Sequence, residues 1–141
     1  NGGVIQVNFY SGFLDSSYDR KKALFFEQHK IEVDSLTRAG LPDYRVEGIL
    51  FLKYPGEVNA LRPPLSLLID HIDHIKNLVG VDHVGLGSDF DGIESAPQGL
   101  NDVTSYPLIA SALKQRGYSN KEVRKVMGRN LLRVWKANEV K

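Results

Sequence analysis

The stretch "GLGSDFDG" places two carboxylates, Asp89 and Asp91, one residue apart at the end of an apolar run, among Gly85, Gly87 and Gly92. A carboxylate beside a metal or a substrate can serve as general base and then as general acid. In parallel α/β folds and barrels such groups act from the carboxyl ends of strands. Asp89 falls at such an end, and the glycines leave room for a close approach of backbone or ligand. The bland alternative is an aspartate that caps the following loop through its side chain. Asp91 lies further into the turn.

Four histidines are the other candidates. His71 and His74 stand three apart, a spacing that can bind metal, with Asp70 and Asp73 beside them. They also flank the apolar stripe Leu68, Ile72 and Ile75, where an aspartate before each histidine suits a solvated helix edge. His29 falls on the stripe between Phe25 and Val33, which favours a hydrogen-bonded core or interface histidine. His83 is at the far end of its strand from Asp89, roughly 20 Å away at about 3.3 Å per residue. No metal ligand is assigned within the chain, and the roles of the four histidines stay open.

These groups need elements to position them. Residues 4–10, "VIQVNFY", alternate Ile5, Val7 and Phe9 with Gln6, Asn8 and Tyr10, the period of a strand with one polar face. Asn8 and Tyr10 lie toward its carboxyl end and could line the same mouth as Asp89. A helix is expected over 16–39, ended by Gly40. Residues 42–63 carry three prolines and two glycines and read as a long connection with one brief element at 49–52. The next helix opens on Pro63 and Pro64 and closes on Gly80. "HVGLGSDF" follows as a strand buried on both faces. Thr104 or Ser105 can cap a helix with Pro107 in its first turn, ending at Gly117. Ser119 to Glu122 reads as a capping box, before a last helix with Val123, Val126, Met127, Leu131, Val134 and Trp135 on its apolar face.

The fold class is therefore α/β with a parallel strand pair. Two parallel strands cannot bury both faces unaided, so the 141 residues are expected to be part of a larger domain. The chain begins Asn1-Gly2-Gly3 and its only methionine is Met127, as in a processed or excised segment. A net charge of +1 and the absence of a basic, aromatic-interleaved stripe argue against a nucleic-acid partner. The absence of cysteine excludes disulfides and thiolate chemistry. No apolar stretch is long enough for a membrane span, and no N-terminal targeting region is visible. The compartment stays open, with the cytoplasm slightly favoured.

The segments "GGVIQVNFYSGFL", "LIDHIDHIKNLVGVDHVGLGSDFDGI", "GLNDVTSYPLIASAL" and "VMGRNLLRVW", in that order, resemble the C-terminal part of the membrane (renal) dipeptidase family, zinc peptidases with a (β/α)8 barrel. They span most of the chain except about 15–60, which resembles a longer helical or loop excursion of the bacterial type. The resemblance implies that residues 1–141 are the C-terminal segment of one barrel domain, holding its last two strands and flanking helices. It implies hydrolysis of dipeptides, with two zinc ions held by ligands in an upstream barrel segment. Asp89 then matches the acid/base that handles the water proton and the departing amine. Asn8, Tyr10 and Phe13 match substrate-pocket positions, with a phenylalanine at 13 where relatives carry a tyrosine. Asp91 receives no role. The partners implied are a dipeptide substrate, the upstream segment and a second copy in a homodimer, and the chain alone is expected to be inactive. Two other readings stand beside this one. In a haloacid-dehalogenase-like phosphatase, Asp89 would be the nucleophile, Asp91 the acid/base and magnesium the cofactor. In a non-catalytic binding or structural segment, the carboxylates only terminate a strand.

Overall fold

A computed structural model describes residues 1–139. Its sheet is a parallel pair, β1 (Ile5–Asn8) beside β2 (Val84–Ser88). In β1 the alternation sends Val7 and the next residue, Phe9, into the core, while Ile5 stays 52% exposed. The register runs Ile5 to Val84, Val7 to Leu86 and Asn8 to Ser88, so Gly87 is an extra residue bulged out of β2. A Cβ there would lie 3.0 Å from the Val7 carbonyl oxygen and 3.1 Å from that of Gln6. Backbone on both counts leaves space only for glycine. The strand is shorter than expected and is buried only in its first half, at Val84 and Gly85. Among the described residues β1 is its one hydrogen-bonded neighbour.

The crossover from β1 to β2 is entirely helical: α1 (Ser11–Leu14), α2 (Tyr18–Gln28), α3 (Lys30–Arg38), α4 (Asp43–Lys53), α5 (Pro55–Leu61) and α6 (Leu65–Val79). The helix expected over 16–39 is two, broken at His29 (φ −102°, ψ 19°). The connection expected over 42–63 is corrected to α4 and α5. Its prolines do not interrupt helices but start them. Pro42 is the N-cap of α4 and Pro55 opens α5, positions whose missing N–H has no intrahelical partner to lose. Helices α2–α5 close a satellite core of Phe25, Val46 and Leu50, flanked by Phe26, Val33, Phe51 and Tyr54.

Helix α6 follows its sequence signals, with Pro64 as N-cap and Gly80 ending it at φ 90°. It buries Leu68, Ile69 and Ile72 against the main core with Val7, Phe9 and Val84. Beyond β2 come α7 (Tyr106–Gln115), α8 (Asn120–Arg124) and α9 (Asn130–Asn138). The side chain that starts the α7 region is Asp102, which accepts from the Thr104 N–H at 2.8 Å, and neither Thr104 nor Ser105 caps α7 itself. The Ser119–Glu122 capping box forms as read. The single last helix does not. Gly128, at φ 153°, sits in a widened turn over Lys125–Arg129, and buried Asn130 donates from there to the Val81 and Val84 carbonyls at 2.7 and 2.9 Å. Val123 and Val126 are therefore buried, whereas Leu131 and Trp135 stay 41% and 63% exposed. No helix among the described residues is long and apolar enough to cross a membrane.

Candidate active site

Parallel strands present their carboxyl ends on one edge of a sheet, so the groups after β1 and β2 meet there. The last rung is Phe9 N–H to the Ser88 carbonyl at 3.0 Å. Immediately beyond it Ser88 (φ 48°) and Asp89 (φ 79°) both occupy the left-handed region, unusual for residues other than glycine. Such conformations cost about 1–3 kcal/mol each and persist where the surroundings over-determine them. Phe90 supplies that determination, packed edge-on to Phe9 with centroids 5.7 Å apart and also against Tyr106.

Asn8 Nδ2 donates to Asp89 Oδ2 at 3.0 Å, and Asn8 Oδ1 accepts from the Tyr10 N–H at 2.7 Å. The amide is thus held at both ends and presents its donor to the carboxylate. Gly92 N–H donates to the Asp89 carbonyl at 3.0 Å and closes the turn. A Cβ at Gly92 would collide with Asp89 Oδ1, which places that oxygen over the glycine. Asp91 is exposed within this turn.

Asp89 opens into a depression of about 250 Å³ lined also by Tyr10, Phe13, Gly92, Ile93 and Glu94. Phe13 is 70% exposed and meets Tyr10 edge-to-face at 5.0 Å. Burial and the neighbouring Glu94 carboxylate push the Tyr10 phenol up to about 12, so it is neutral at ordinary pH. Asp89, Tyr10 and Phe13 thus share one cavity, with Asn8 bonded to Asp89.

Several groups at this edge escaped the sequence reading. The two post-strand segments are stitched by Ser11 and Ser95, hydroxyl to hydroxyl at 2.8 Å and Ser11 N–H to Ser95 carbonyl at 2.9 Å, both side chains buried. Lys22 of α2 reaches Glu47 at 2.6 Å and Glu94 at 3.1 Å. Burial works against its charge, but the two carboxylates outweigh burial and hold the ammonium above its ordinary range. Arg62 grips the loop beyond Glu94. All are pairings between residues far apart in sequence, with no local pattern to mark them.

The histidines go elsewhere. His71 Nε2 lies 3.0 Å from the Leu14 carbonyl and His83 Nδ1 2.8 Å from that of Gly3. His29 pairs with Glu57 at 3.0 Å and stacks on Tyr54, and His74 is exposed. Asp70 and Asp73 both bind Arg116, at 2.6 and 2.8 Å. Among the described residues no three His, Asp or Glu side chains gather as a metal set.

A family profile described as membrane dipeptidase, peptidase family M19, matches residues 1–141. Dipeptidase tcpJ of Claviceps purpurea is 50% identical over 86 residues, 61% of this chain and 20% of that protein. An uncharacterized dipeptidase of Schizosaccharomyces pombe is 35% identical over 141 residues, 99% of this chain and 24% of that protein. A crystal structure of a Rhodobacter sphaeroides metallopeptidase liganded with a phosphinate mimic of L-Ala-D-Ala is 38% identical over 50% of this chain and 20% of its own, with a TM-score of 0.47. The chain spans a fifth to a quarter of the length of the two dipeptidases.

Proposed function

Because the chain belongs to the membrane dipeptidase family, peptidase family M19, we propose that the complete protein hydrolyses dipeptides with Asp89 as its acid/base. The 141 residues are then the C-terminal portion of a (β/α)8 barrel domain, with about 15–60 as a helical excursion. The observation that carries this reading is the Asp89 carboxylate at the carboxyl end of β2. Its Oδ2 is held by Asn8, and Oδ1 lies over Gly92 beside the depression.

In such a reaction water adds through oxygen to the peptide carbonyl carbon, the C–N bond breaks, and one proton must reach the departing nitrogen. Asp89 Oδ1 takes that proton from the water and releases it to the amine, while the Asn8 amide keeps the carboxylate from rotating. Tyr10, neutral through its raised pKa, Phe13 and Ile93 shape the pocket that orients the dipeptide.

Zinc does not fit the residues present. Three of the four imidazoles are engaged in the bonds described, and no trio of ligands converges among the described residues. The two zinc ions of the family reading would be held by an upstream segment, and no step is assigned to them here. The phosphatase reading of Asp89 and Asp91 finds no support among the relatives, which are dipeptidases.

The test is Asp89→Asn in the complete protein. Dipeptide turnover should fall by about 10²–10⁴-fold with the fold intact, the usual contribution of an acid/base group. Turnover near wild type would return the carboxylate to a strand terminator.

A further inference from the structure

The loop beyond the Asp89 turn has no regular structure between residues 93 and 102, yet Ser95, Ala96, Pro97 and Leu100 within it are buried. One side chain from outside holds it. Arg62, the C-cap residue of α5, donates from Nε to the Ala96 carbonyl at 2.6 Å and from Nη2 to those of Pro97 and Leu100 at 2.7 and 2.9 Å. Its Nη1 donates to Asn101 Oδ1 at 3.0 Å. Each of these acceptors is neutral, and among the described residues no carboxylate pairs with Arg62. Burial pulls the guanidinium below its ordinary pKa. A half-buried cation without a counter-charge is costly, and its four bonds offset that cost by fixing loop geometry. The chain on either side of Arg62 adds to the grip. The Pro63 carbonyl accepts from Gln98 N–H at 2.9 Å, and the Asn59 carbonyl from Gln98 Nε2 at 3.0 Å.

Ile93 and Glu94 line the site depression with Asp89. They also line an adjoining hollow of about 200 Å³ together with Arg62. The wall that faces the site on one side is therefore backed by the Arg62 anchor on the other. We propose that Arg62 is a positioning residue, holding residues 96–101 so that Ile93 and Glu94 stand as the substrate-facing wall of the Asp89 site. What this wall contacts rests on the dipeptidase reading, whereas the clamp itself does not. Asp89 has supports of its own in Asn8 and Phe90, so loosening Arg62 displaces the wall and leaves the proton carrier in place. Lysine cannot substitute, because one ammonium cannot span the fan of acceptors that a planar fork reaches.

Arg62→Lys in the complete protein separates the possibilities through two readouts. Amide exchange at Gln98 and Leu100 should quicken by at least about tenfold, as expected when charge-assisted bonds are lost, with α6 unaffected. The KM for dipeptides should rise by about tenfold with kcat nearly unchanged, the signature of lost ground-state alignment. Arg62→Ala should behave likewise and recover its KM when free guanidinium ion is added below denaturing concentration. Unaltered exchange in the loop, a fall in kcat alone, or no recovery with guanidinium would each overturn the proposal. A wild-type protein without dipeptide turnover would sink the functional reading instead, and the exchange result would then decide the clamp by itself.

Discussion

Asn8 and Asp89, 81 residues apart in sequence, join the carboxyl ends of the two parallel strands through one side-chain hydrogen bond of 3.0 Å. Asn8→Asp keeps the oxygen that accepts from the Tyr10 N–H but replaces the donor with a second acid. Two carboxyls at that separation cannot both ionise freely, so the pair should bind a proton at higher pH than Asp89 does alone. The acid limb of the pH profile of kcat/KM should move up by about one unit or more. A limb that stays where it is in the wild type would mean that Asp89 does not control it.

Gly87 and Gly92 flank Asp89 and fail differently. At Gly87 a Cβ meets the carbonyl oxygens of Val7 and Gln6, which cannot move without breaking the ladder. Gly87→Ala should cost about 1–3 kcal/mol in urea denaturation, as overpacking does. At Gly92 the Cβ would strike only the tip of the Asp89 side chain, which can swing aside. Gly92→Ala should leave stability within about 0.5 kcal/mol yet lower kcat by about tenfold to a hundredfold, because the reactive oxygen is displaced. Equal stability losses in the two variants would show that the Asp89 carboxylate does not rest on Gly92.

What was legible in the sequence was local or periodic. The Ser119–Glu122 box, the Pro64 and Gly80 ends of α6 and the inward Val7 and Phe9 of β1 each need only a few neighbouring residues to specify them. That parallel strands bring Asn8, Tyr10 and Asp89 to one edge follows from topology, and so was open to inference. Helices α4 and α5 were hidden because Pro42 and Pro55 are breakers by type and starters by position. The break at Gly128 was hidden because the apolar spacing runs through it and what bends the chain is Asn130 reaching Val81 and Val84. Lys22 and Arg62 read as two of many surface cations, since their acceptors lie 34 to 72 residues away.

Acid stability provides a check on two capping carboxylates remote from the chemistry. Asp15 accepts from Ser17 and Lys21, which draw its pKa from 3.8 to about 2. Glu122, in the capping box with Ser119 and near Lys76, is drawn from 4.5 to about 2. Between those limits the unfolded chain binds more protons than the folded one, so stability must rise with pH there. The contribution is fully present above the unfolded values and is lost as pH falls through the folded ones. The melting temperature should accordingly drop from pH 5 to pH 2. In the double variant Asp15→Asn, Glu122→Gln that drop should be shallower, with the protein less stable than wild type at pH 6 and the two curves converging near pH 2. Parallel curves across the whole range would mean that neither carboxylate gains its hydrogen bonds on folding.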